Sequence, residues 1–144
     1  MKTFLIIFFL LFLSLNAYSA GSDIDNTIAK PKSYKNALKL IKKEQYSEAI
    51  TVLEKILNQK IYKKDPDILN EYAFALRQSG NLSKAETFYN QALKIDPKHK
   101  GALEYLGELY VDTNRKNKAV LILKKLKNCK CEEYSELKAY IDNS

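Results

Sequence analysis

The sequence predicts an all-α fold made of stacked helix pairs, on three observations. Apolar residues recur at helical spacing from Ser33 onward, and glycine and proline are scarce, 4 and 3 in 144 residues. No Val/Ile/Thr-rich alternating run bounded by turns is present, so no sheet is expected. Ala49, Ala85 and Ala119 recur at intervals of 36 and 34 residues, each on the second of two amphipathic stretches. A helix-pair unit of that length is therefore repeated three times. The chain is long enough for one such domain and not comfortably for two.

The middle unit, 66–99, is the clearest. Its first helix is expected at about Asp67–Ser79, with Leu69, Tyr72, Ala73 and Leu76 on one face. Ser79, Gly80 and Asn81 supply the turn, because Gly and Asn tolerate a left-handed backbone. The second helix, about Leu82–Ile95, carries Ala85, Phe88, Tyr89, Ala92 and Leu93 on one face. Asp96-Pro97 stops it, since proline cannot continue the hydrogen-bond ladder. Ala73 and Ala85 stand where two helices would cross, with Leu69, Tyr72 and Tyr89 filling the space beside them. This pattern of small and large residues resembles the tetratricopeptide repeat, a helix–turn–helix unit of about 34 residues. The resemblance spans about Ser33–Cys131. It implies a right-handed superhelical stack of about three TPR helix pairs plus a C-terminal capping helix.

The first unit, 33–65, departs most from that pattern. Ser33 and Asn36 stand where large apolar residues are usual, as an edge repeat with one solvated side allows. Its helices are marked by Ala37, Leu38, Leu40 and Ile41, then by Tyr46, Ala49, Ile50, Leu53, Ile56 and Leu57. Two extra residues within 58–64 lengthen the second helix or the loop after it. In the third unit, 100–131, Leu103, Leu106, Gly107 and Tyr110 take the positions of Leu69, Tyr72, Ala73 and Leu76. Its turn has lost the glycine, but Asn114 can occupy the left-handed position. A last helix, 132–142, presents Tyr134, Leu137, Tyr140 and Ile141 to cover the open apolar end of the stack.

Before the repeats, residues 1–19 read as a secretory signal peptide: a short basic start at Lys2, the apolar run Phe4–Leu13, and small Ala17 and Ser19 before the cut. The run is too short to span a bilayer. The expected protein is exported, periplasmic or secreted after cleavage, with residues 20–32 as a flexible tether.

The formal charge of +7 invites a nucleic-acid partner, but only Arg77 and Arg115 are arginines, and export argues against it. Abundant Lys, Asn, Ile, Tyr and Phe fit a compositional bias instead. Catalysis is not expected: the one histidine, His99, reads as a solvated loop residue, no phosphate-cradling glycine loop exists, and neither a cofactor nor a metal site is indicated. Cys129 and Cys131 flank the corner before the last helix. A local disulfide there would fix the corner; free thiols, an intermolecular bridge and a redox role are the alternatives left open. Arg115–Lys130 holds seven basic residues and no acid, which is either a solvated outer face or a surface for anionic membrane or polymer.

The resemblance also implies a groove, because the first helix of each tetratricopeptide pair lines a surface that binds peptides. The matching residues are Tyr34 and Leu38, then Asn70, Phe74 and Arg77, then Glu104, Tyr105, Glu108 and Asp112. The variant of the family that clamps a C-terminal carboxylate needs Lys and Asn where Tyr34 and Leu38 stand, and basic residues where Gly101 and Tyr105 stand. What remains is a groove apolar at one end and acidic at the other. It suits a protein or peptide segment that is apolar with basic character. The expected role is an adaptor or assembly factor in the bacterial envelope.

Overall fold

The computed structural model describes residues 29–144. The expected leader at 1–19 and most of the tether lie outside the described residues. Seven helices follow in order among them: α1 (Lys32–Lys42), α2 (Tyr46–Leu57), α3 (Pro66–Gln78), α4 (Leu82–Ile95), α5 (Lys100–Asp112), α6 (Lys116–Leu126) and α7 (Glu132–Asp142). Each odd-numbered helix up to α5 packs on its successor, and α2 packs on α3 as α4 does on α5. α3 also touches α1 and α5, so the first helices form an inner layer and the second helices an outer one. α7 lies on α5 and α6, in the place a further first helix would take.

The turns within the three pairs share one geometry. Glu44, Gly80 and Asn114 have φ of 59°, 85° and 57°, and the next N–H donates back to the carbonyl of Leu40, Leu76 and Tyr110. This is the Schellman closure, which satisfies carbonyls the helix end would otherwise leave bare. A methyl group on Gly80 would meet no neighbour, so glycine is favoured there by its backbone angle alone.

Helix starts are fixed by side chains. The Asp65 carboxylate accepts from the N–H groups of Asp67 and Ile68, with Pro66 in the first turn. His99 does the same for α5: its Nδ1 accepts from the Ala102 N–H at 3.0 Å. With Nδ1 accepting, the neutral ring carries its proton on Nε2, which donates to Asp67 Oδ1 at 2.9 Å. His99 is therefore a cap and a tie between repeats, not the solvated loop residue expected from sequence. Its ring is shielded because α5 begins directly behind it.

Ala49, Ala85 and Ala119 are completely buried at the helix crossings, and Tyr72 and Tyr89 are nearly so. The extra length of the first unit lies in the connection, not in α2: eight residues (58–65) join α2 to α3, where four (96–99) join α4 to α5, and α2, at 12 residues, is shorter than α4, at 14. Tyr62 of that connection is buried and its hydroxyl donates to the Ala29 carbonyl. Lys30 reaches Asp65 at 3.2 Å and Asp67 at 2.6 Å. The end of the expected tether is thus fastened to the second repeat, and α1 begins at Lys32, one residue earlier than the expected boundary. Cys129 and Cys131 are joined by a disulfide across Lys130, whose φ is 50°, in the corner between α6 and α7.

Candidate functional site

The inner layer places Phe74 of α3 against Tyr105 of α5, with ring centroids 4.9 Å apart. Tyr46 meets Phe74 edge-on from one side, and Tyr89 lies 6.4 Å behind Tyr105. These two central rings floor a cavity of about 780 Å³ between α3, α5 and α7. Glu104, Glu108 and Asp112 of α5 and Glu136 and Tyr140 of α7 complete its walls. Phe74, Tyr105, Glu104, Glu108 and Asp112 are therefore brought together at one cavity.

Arg77 is not a free groove cation. It is buried, and its Nε and Nη2 both donate to Asp112 Oδ2, at 2.9 and 2.7 Å, while Nη1 donates to Glu108 Oε2 at 2.5 Å. The Tyr140 hydroxyl donates to the other Asp112 oxygen at 2.6 Å. Burial disfavours the Arg77 charge, but the Asp112 and Glu108 hydrogen bonds outweigh it and hold the guanidinium protonated. The cluster ties α3, α5 and α7 together and engages all three guanidinium nitrogens of Arg77 internally. The expected acid-lined end is accordingly less negative than a count of carboxylates implies.

Glu104 changes it further. It is 5% exposed, and burial, with Glu136, Glu108 and Glu133 nearby, pushes its carboxyl up to about 9. Burial and these carboxylates favour its protonated form, which can donate as well as accept. Burial also raises Glu71, although a hydrogen bond from Asn70 opposes this. Asn70 is itself buried: its amide donates to Glu71 Oε1 at 3.4 Å, and its Oδ1 has no partner. Tyr34 is half-buried near Glu71, with burial and that carboxylate raising its hydroxyl, and Lys30 lies 5.7 Å over its ring. Leu38 is exposed one turn further along α1. Neither lines the cavity formed by α3, α5 and α7.

Glu136 was absent from the sequence reading, and Tyr140 was assigned there to the face of α7 that covers the stack. The signal was present: they stand four apart on α7, off the face carrying the buried Leu137 and Ile141. Among the described residues no group of three His, Cys, Asp or Glu is arranged to hold a metal ion.

The tetratricopeptide repeat family profile matches residues 40–99 and 76–141. The chain is a tetratricopeptide repeat protein. No curated protein matches it. Among solved structures this tetratricopeptide stack resembles a tetratricopeptide repeat protein from Parabacteroides merdae, at 23% identity and a TM-score of 0.65 over 76% of the chain. It spans 43% of that protein, less than half its length. The first TPR domain of Spaghetti (RPAP3), bound to an HSP90 peptide, gives 19% identity and a TM-score of 0.66, covering 77% of this chain and 89% of that one. The Yersinia enterocolitica type III secretion chaperone SycD, in complex with a peptide of the translocator YopD, gives 16% and 0.65, covering 77% and 85%. At these identities the likeness is one of fold.

Proposed function

We propose that this tetratricopeptide stack is a non-catalytic adaptor that binds a partner segment in the groove between α3, α5 and α7. The observation that carries this reading is the Phe74–Tyr105 pair exposed to a cavity walled by acidic side chains, with Arg77 held in internal ion pairs. An aromatic floor supplies contact area, and the walls keep a net negative charge, Glu108, Asp112 and Glu136 against Arg77, that favours a cationic neighbour. The partner segment has an apolar anchor beside Lys or Arg. Peptide complexes of two fold neighbours, the Spaghetti domain and SycD, support a peptide occupant. The sequence leader supports export, and with it a role in assembling envelope proteins.

Fluorescence anisotropy with labelled peptides that pair an apolar anchor with Lys or Arg tests the groove. Replacing Phe74 and Tyr105 with Ala should weaken binding at least tenfold while the helical circular dichroism persists. Reversing Lys124 and Lys125 to Glu should leave binding intact. The opposite pattern would promote a second reading, in which the outer helix α6 rests on an anionic surface. Leu121, 58% exposed among the lysines of α6, favours that alternative. Surface attraction would fade in moderate salt, and groove binding would persist. Export is tested separately by N-terminal sequencing of the protein recovered from the envelope and medium. An intact Met1–Ala20 segment on a cytoplasmic product would remove it.

A further inference from the structure

A second cavity, about 670 Å³, lies between α2, the 58–65 connection and α4, with α3 behind it. It shares no residue with the groove. Its floor is apolar: Leu57, Leu69 and Tyr72 are buried, and Phe88 packs edge-on to Tyr72 at 4.7 Å. Ile95 leaves 43% of its surface exposed at the cavity, an expensive placement for an isoleucine with nothing over it.

Charge at this cavity is one-sided. Lys63, Lys64, Lys84 and Lys94 line it, against Glu54 alone. Glu54 is already engaged, accepting from the Tyr72 hydroxyl at 3.3 Å and facing Lys84 at 3.8 Å. Lys63, Lys64 and Lys94 have no carboxylate partner among the described residues. Lys63 and Lys64 are brought here by the long connection.

We propose that this cavity binds a single-chain anionic amphiphile, an alkyl chain bearing one carboxylate or phosphate headgroup. The chain would cover Leu57, Phe88 and Ile95, and the headgroup would lie among the unpaired lysines. The volume is that of a small-molecule site. A peptide fits less well, because a buried backbone needs hydrogen-bond partners and the polar neutral lining is limited to Asn58 and Gln91. A neutral lipid would leave the lysine cluster unmatched.

Isothermal titration calorimetry of the protein with dodecanoate, dodecyl phosphate and dodecanol, below their micellar concentrations, tests this. Both anions should bind at one site, and dodecanol at least roughly tenfold more weakly. Tighter binding by one anion would name the headgroup source. Lys63→Glu with Lys94→Glu should weaken the anions by a similar factor. Ile95→Trp should block all three by filling the mouth, a change at an exposed position that keeps the fold. Methyl NMR shifts on titration should centre on Leu57, Leu69 and Ile95. No saturable binding, equal affinity for dodecanol, indifference to the lysine reversal, or shifts centred on the groove would each overturn the proposal. So would tighter binding by an acidic peptide with an aromatic anchor.

Discussion

Gly107 of α5 faces Leu137 of α7 so closely that a Cβ on the glycine would lie 2.5 Å from Leu137 Cδ2 and 2.7 Å from Cδ1. Leu137 is wholly buried, so it has no free volume into which to retreat. The glycine is the seat of the capping helix. Gly107→Ala should raise intrinsic helix propensity yet cost about 1–3 kcal/mol, because overpacking outweighs the gain of about 1 kcal/mol. A urea melt shows which term wins. A variant more stable than the parent would mean that α7 can shift freely on α5.

Removing the cap entirely should do more. Truncation after Lys130 exposes the faces of α5 and α6 that pack on α7, Gly107 among them. Aggregation, or a melting temperature lower by several degrees, is expected from light scattering and circular dichroism. A soluble truncation of equal stability would rule out a stabilising role for α7.

Ala85 has no exposed surface and lies where α4 crosses its neighbours. Ala85→Leu should cost about 1–3 kcal/mol, since the added atoms have nowhere to go without displacing rotamers. A melt indistinguishable from the parent would contradict the close crossing.

The repeat was legible because its determinants are local. Helical period, a left-handed residue at each turn and small residues at crossings all lie within one unit. Even the glycine-free turn at Asn114 follows from the residue's tolerance of positive φ. Arg77 was misread as a ligand-facing cation because its partners, Glu108 and Asp112, lie 31 and 35 residues away. Stacking brings residues about one repeat apart side by side, so a cation on one first helix and acids about 34 residues later can signal an internal ion pair. The same rule joins Asp67 to His99, 32 residues on. The seat for Leu137 had no such signal, since a glycine in a helix does not say what approaches it. Nor does composition reveal that a glutamate such as Glu104 is buried.

Arg77→Met should test the ion-pair cluster. Methionine keeps much of the side-chain volume but strands Glu108 and Asp112 beside each other near a buried surface. A loss of up to about 3–5 kcal/mol is expected at neutral pH, reduced to the extent that Asp112 is exposed. It should be smaller for Arg77→Lys, which keeps a positive charge beside the two carboxylates. Equal destabilisation by both variants would mean that Arg77 acts through its shape and not its charge.

Glu104 gives the stability of this protein a pH dependence opposite to that of an ion-paired acid. Its carboxyl is raised by burial first and by the Glu136, Glu108 and Glu133 carboxylates second. Between the ordinary carboxyl range and about 9, the folded protein holds a proton here that the unfolded chain releases. More protons bound in the folded state means that stability falls as pH rises through that window. The contribution is fully present below the unfolded value and is lost as pH passes the folded one. Glu104→Gln mimics the protonated acid and cannot titrate. Parent and variant should therefore have similar urea midpoints at about pH 4, and the variant should lead by a widening margin toward about pH 8. Other titrating groups contribute to both proteins, so most of their effect cancels in the difference. A margin that stays constant with pH would mean that Glu104 is ionised in the folded protein at neutral pH. The groove wall would then carry a full negative charge at that position instead of a donor.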